Sequence, residues 1–94
     1  MLYYKMGYTT KGGREFTTTA KTVDKLDEYI HSCLENGDRI NGIEAVNLID
    51  KIKEAFAESK TAKEYEKRKM EIWKESGYTM GEFFDAVDVA EKAE

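Results

Sequence analysis

Proline is missing altogether, and cysteine and histidine each occur once in the 94 residues. Without proline there is no proline-rich linker, and no repeat or low-complexity stretch divides the chain. One cysteine, Cys33, excludes an internal disulfide and a cysteine-based zinc cluster. With His31 as the lone histidine, the usual zinc sites and catalytic triads also lack residues. Long apolar runs are absent too. Met1-Leu2-Tyr3-Tyr4 stops at Lys5, and Ala55-Phe56-Ala57 is shorter still, whereas a membrane-spanning helix needs about 20 apolar residues. The same shortness leaves no apolar region for a signal peptide, so a cytoplasmic chain with no membrane partner is expected.

What is present is globular in composition, 40% apolar and 36% charged, too apolar for general disorder. A single domain over residues 1–94 is expected, burying about 60–65% of the surface that the unfolded chain exposes. The net charge of −4 is unevenly spread. Residues 1–22 carry Lys5, Lys11, Arg14 and Lys21 against Glu15 alone. Residues 23–50 reverse this, with Asp24, Asp27, Glu28, Glu35, Asp38, Glu44 and Asp50 against Lys25 and Arg39. Residues 51–76 are mildly basic, and 77–94 are acidic again. An isoelectric point near 5.1 argues against a dedicated nucleic-acid binder, whose surface is usually strongly basic.

Residues 3–9 and 14–20 are rich in Tyr, Phe and Thr, types that suit a pleated, half-buried surface. Gly12-Gly13 between them supplies the positive φ angles of a hairpin turn. A two-residue Gly12-Gly13 loop would put Tyr4, Met6 and Tyr8 on one face with Thr17 and Thr19. Tyr3 and Phe16 would share the other. A helix follows: Val23, Leu26, Tyr29, Ile30, Cys33 and Leu34 recur as one amphipathic stripe, with Leu26, Ile30 and Leu34 as its expected core. Thr22 is the expected N-cap, and Asn36-Gly37 the stop.

Residues 39–46 read as a third strand, with a turn at Asn41-Gly42 opening into a helix as the alternative. Asn47 then caps a helical stretch that runs to about Ser76. Thr61-Ala-Lys-Glu64 reads as a capping box, so a break is expected near Ser59. Thr79-Met-Gly-Glu82 is a second capping box. The fold class is therefore α+β: an N-terminal β-hairpin with a helix and a third strand, a ββαβ-like unit over 1–46. Two or three C-terminal helices follow over 47–94.

Few constellations suggest chemistry. Asp27, His31 and Glu35 form an i, i+4, i+8 row, which reads as a solvated helix face. Cys33 falls on the apolar stripe and reads as a small core residue. Lys11-Gly12-Gly13-Arg14 lacks P-loop spacing and reads as a hairpin tip. No catalytic residue, metal ligand or cofactor site can be named, so no enzyme is expected. Three surfaces remain. The acidic residues Asp27, Glu28 and Glu35 suit docking to a basic groove. The broad apolar face at Tyr65, Met70, Ile72 and Trp73 suits a second contact, either with a partner or with another copy of the chain. Lys5, Lys11 and Arg14, interleaved with Tyr3, Tyr4, Tyr8 and Phe16, suit a single-stranded nucleic acid.

In its whole organisation, one short domain with a hairpin, helices and no catalytic set, the chain resembles small proteins of phages and mobile elements, anti-CRISPR proteins among them. That resemblance implies a non-enzymatic inhibitor that binds a host protein–nucleic-acid machine. It carries no residue across. The expected partner is thus a protein met through Asp27, Glu28, Glu35, Tyr65, Ile72 and Trp73. A nucleic-acid accessory role through Lys5, Lys11 and Arg14 is the alternative, and a homodimeric structural role is the third reading.

Overall fold

The computed structural model describes residues 1–92. The fraying expected of the last few residues falls partly on Ala93 and Glu94, outside that range. The fold is α+β, and the chain divides into two compact units. Leu2–Val46 form one; the segment from Asn47 onward, joined by Met1, forms the other.

The first unit contains β1 (Leu2–Thr9), β2 (Glu15–Ala20), α1 (Val23–Asn36) and β3 (Arg39–Asn47). The strands form one antiparallel sheet in the order β2-β1-β3. Residues 39–46 are thus a strand, as expected, and β2 and β3 are the two edges. Because both run antiparallel to β1, they run parallel to each other and need a crossover, which α1 supplies.

The hairpin register corrects the expected one. Thr10 N–H donates to Arg14 O at 2.7 Å, and Gly13 N–H donates to Thr10 O at 2.8 Å. Only Gly13 of the pair has positive φ, at 89°. The loop is therefore Lys11-Gly12-Gly13, a tight turn followed by a left-handed glycine that forms a bulge. That extra residue shifts every pairing by one. Tyr4, Met6 and Tyr8 lie opposite Ala20, Thr18 and Phe16, not beside Thr17 and Thr19. Side chains alternate between faces, so Thr17 and Thr19 join Lys5 and Gly7 on the other side.

α1 lies on the face that carries Met6. Met6, Ala20, Leu26 and Cys33 form the buried centre, ringed by Tyr4, Tyr8, Tyr29, Ile30 and Ile40. The helix begins where expected, with Thr22 Oγ1 accepting from Lys25 N–H at 3.2 Å. It stops at Gly37, whose φ of 78° is the left-handed cap. Asp38 N–H then reaches back to Cys33 O at 2.9 Å and satisfies a terminal carbonyl. Leu34 departs from expectation: it is 63% exposed, and Val23 is 61% exposed. At about 100° per residue, both sit roughly 70–90° around the helix from the Leu26–Cys33 line. The sheet covers only the middle of the stripe.

The second unit is helical: α2 (Leu48–Glu58), α3 (Ala62–Ser76) and α4 (Met80–Lys92). Each start follows its local signal. Asn47 Oδ1 accepts from Asp50 N–H at 3.2 Å, and Thr61 Oγ1 from Glu64 N–H at 3.1 Å. Thr79 and Glu82 make the reciprocal box, at 3.1 and 3.3 Å. The expected break is real, with Ser59 closing α2. Leu48 N–H also donates to Met1 O at 2.8 Å. α2 packs against both α3 and α4. Leu48, Ile52 and Ala55 of α2 are buried, as are Tyr65 and Ile72 of α3 and Phe83, Ala86, Val87 and Ala90 of α4.

Candidate protein-binding surface

The outer side of α1 is built from residues that its core does not need. Asp24, Asp27, Glu28, His31, Leu34 and Glu35 are all exposed. Val23, Asp27, Ile30 and Leu34 stand at i, i+4, i+7 and i+11, which makes them one row along the helix. Ile30 is half-buried and marks the inner margin. Asp24, Glu35 and Glu28 lie further round on the wet side. The row is thus an apolar ridge with an acidic flank.

Local ion pairing removes part of that charge. Lys25 Nζ sits 3.1 Å from Glu28 Oε2, and that carboxylate raises the lysine pKa. His31 Nε2 lies 4.0 Å from Asp27 Oδ2. Both pairs are exposed and worth little in water. Asp24 and Glu35 have no ion-pair partner among the described residues. The Asp27–His31–Glu35 row runs along the helix rather than converging, and no group of three potential metal ligands is found among the described residues.

Tyr65, Ile72 and Trp73 are placed differently from expectation. Tyr65 and Ile72 are buried. Tyr65 donates its hydroxyl hydrogen to Glu91 Oε1 at 2.9 Å, packs edge-on against Phe56, and lies under the Lys69 ammonium. Trp73 is half-buried, with its indole N–H on Tyr78 O at 2.9 Å. The apolar face is broad because α3 rests on α2 and is also tied to α4. It is not an exposed aromatic surface. Of the four residues singled out there, Met70 is exposed.

Of the hairpin aromatics, Tyr3 shares the face of Lys5 but is fully buried, and the others are separated from that lysine. Tyr4, Tyr8 and Phe16 share the α1 side of the sheet, and Tyr8 stacks on Phe16 at 5.7 Å. Lys5 is on the opposite face, in a shallow depression with Gly7, Thr17, Asn41 and Ile43. Lys11 and Arg14 belong to the loop. A stacking platform with cations on the same face is therefore not assembled by Lys5 and these rings.

Cys33 is buried, and desolvation pushes its thiol pKa up, with the Asp38 carboxylate adding to the shift. An activated nucleophile needs the opposite shift. No described helix is long and apolar enough to cross a membrane. The exposed Val23 and Leu34 are what the sequence reading missed. The available signal was their position at the margin of the stripe, about a quarter-turn from its centre.

Comparison of the chain with protein-family models, with curated proteins and with solved structures gives no match.

Proposed function

We propose that this protein is a non-enzymatic protein-binding module whose docking surface is the outer side of α1. One observation carries the reading: Leu34 is 63% exposed on a helix whose exposed flank holds Asp24, Asp27, Glu28 and Glu35. An exposed aliphatic row beside concentrated like charge suits a partner with an apolar groove and a basic rim. The charge speeds encounter and sets register, and the aliphatic side chains supply the buried area. A basic groove of that kind occurs where a protein holds nucleic acid. This supports the narrower reading, an inhibitor that occupies the nucleic-acid site of a host machine, in line with the resemblance to phage and mobile-element proteins.

The test is affinity capture with three folded forms of the chain. These are wild type, a variant with Asp27, Glu28 and Glu35 changed to Ser, and one with Lys5, Lys11 and Arg14 changed to Ser. A partner identified by mass spectrometry should be retained by wild type and by the basic-residue variant. The acidic-residue variant should lose it. Loss confined to the basic-residue variant would overturn the reading and favour nucleic-acid binding.

A further inference from the structure

α3 presents the counterpart of the α1 row. Lys63, Lys67, Met70 and Lys74 stand at i, i+4, i+7 and i+11 on α3, the same spacing as Val23, Asp27, Ile30 and Leu34 on α1. Each row is therefore about 16 Å long. All four α3 residues are exposed. Lys63, Lys67 and Lys74 have no carboxylate partner among the described residues. Of the glutamates flanking them, Glu66 is held by Lys69 at 2.7 Å, and Glu71, one turn from both Lys67 and Lys74, borders the row and offsets part of its charge. The α1 row is aliphatic apart from Asp27, with Asp24, Glu28 and Glu35 on its flank. The other is basic with a flexible thioether that adapts to irregular apolar surfaces.

We propose that the chain associates with itself, the acidic Leu34-bearing ridge of one molecule docking on the basic Met70-bearing row of another. This rests on the reading of α1 as a docking surface and gives that surface a second occupant beside the partner proposed above. A second copy is favoured because every molecule carries both halves, alike in length and opposite in charge. The contact joins unlike faces, so it closes as a pair or ring when the rotation allows and otherwise runs on as open chains. One helix-on-helix contact of this length buries less than the roughly 1,000 Å² of a stable interface. Association is therefore weak and, being electrostatic at its margin, falls as salt rises.

Sedimentation velocity over a wide concentration range tests this with two charge-reversal variants. One carries Asp27→Lys with Glu35→Lys, and the other Lys67→Glu with Lys74→Glu. Circular dichroism first confirms that both are folded. Wild type should show mass rising with concentration at low salt and return to monomer at high salt. Each variant alone should remain monomeric. Their equimolar mixture should associate again, because each reversed face then meets an opposite one; an unfolded variant could not restore this. A wild type that stays monomeric throughout overturns the proposal, as does association that both variants retain. The capture experiment on α1 reads a different partner, so self-association can fail while the binding-module reading stands.

Discussion

Tyr65 of α3 and Glu91 of α4 are joined by a hydrogen bond of 2.9 Å from the phenol to the carboxylate. Burial, and then the Glu91 acceptor, push the Tyr65 pKa well above the ordinary tyrosine range. The unfolded chain ionises this phenol near pH 10, while the folded chain keeps its proton. The contribution is thus intact below about pH 10 and is lost as pH rises beyond it, where only the unfolded state sheds the proton.

Tyr65→Phe should therefore do two things. At neutral pH it should cost about 0.5–1.5 kcal/mol, the net worth of one hydrogen bond. Above about pH 10 the difference from wild type should shrink, since the variant has no phenol to ionise. Urea melts at neutral and alkaline pH check both. Equal alkaline slopes in the two proteins would show that Tyr65 is not protected.

Cys33 makes a matching prediction on the first unit. It is buried at the centre of the α1–sheet contact, and its thiol pKa is raised. Since the thiolate is the reacting form, a small disulfide reagent should label the native protein at least about tenfold more slowly than the urea-unfolded chain. Equal rates in native buffer and in urea would mean that α1 does not cover Cys33.

The hairpin loop separates the two register possibilities experimentally. Gly13 holds φ of 89°, where a Cβ is strained, so Gly13→Ala should cost about 1–2 kcal/mol. Gly12 has no positive φ, and a Cβ there meets only Thr10 Oγ1, at 3.9 Å. Gly12→Ala should therefore stay within about 0.5 kcal/mol. In a two-residue Gly12-Gly13 turn of the kind with two positive φ angles, both changes would be costly. Thermal melts of the pair distinguish these cases.

The pattern of success along the chain follows the range of each signal. Thr22, Asn47, Thr61 and Thr79 were readable because a cap acts on a backbone group three residues away. The hairpin was readable, but its register was not. The choice between loops of two and three residues depends on which glycine takes positive φ, and both are glycines. For α1 the periodicity locates the stripe but not the width of the surface that covers it, so periodicity alone puts Leu34 inside. On α3 the breadth of the apolar face was readable, but not its cause. Tyr65 is buried where it packs on Phe56 of α2 and bonds Glu91 of α4, and Ile72 lies on the side that faces α2, facts of tertiary arrangement. The acidic side of α1 was legible directly, since charge beside a stripe must point to water. Its exposed aliphatic row was not.

Leu26 and Leu34 test that distinction most sharply, because both lie on one helix and carry the same side chain. Leu26 is 8% exposed and belongs to the buried centre. Cutting it to alanine removes buried methyl groups and leaves a cavity under α1, so Leu26→Ala should cost about 2–5 kcal/mol. Such a loss is a large share of the roughly 5–15 kcal/mol available to a typical domain. Leu34 is 63% exposed and leaves no cavity. Leu34→Ala should change stability by less than about 0.5 kcal/mol, helped by the better helix propensity of alanine. If the ridge is a docking surface, the same Leu34→Ala variant should lose partner binding while its thermal melt is unchanged. A fold stabilised by Leu34 would instead show both losses together. Thermal melts of the two variants, followed by a binding measurement on Leu34→Ala alone, separate a core residue from a surface one. A large stability loss in Leu34→Ala would return this residue to the core and remove the apolar half of the proposed ridge.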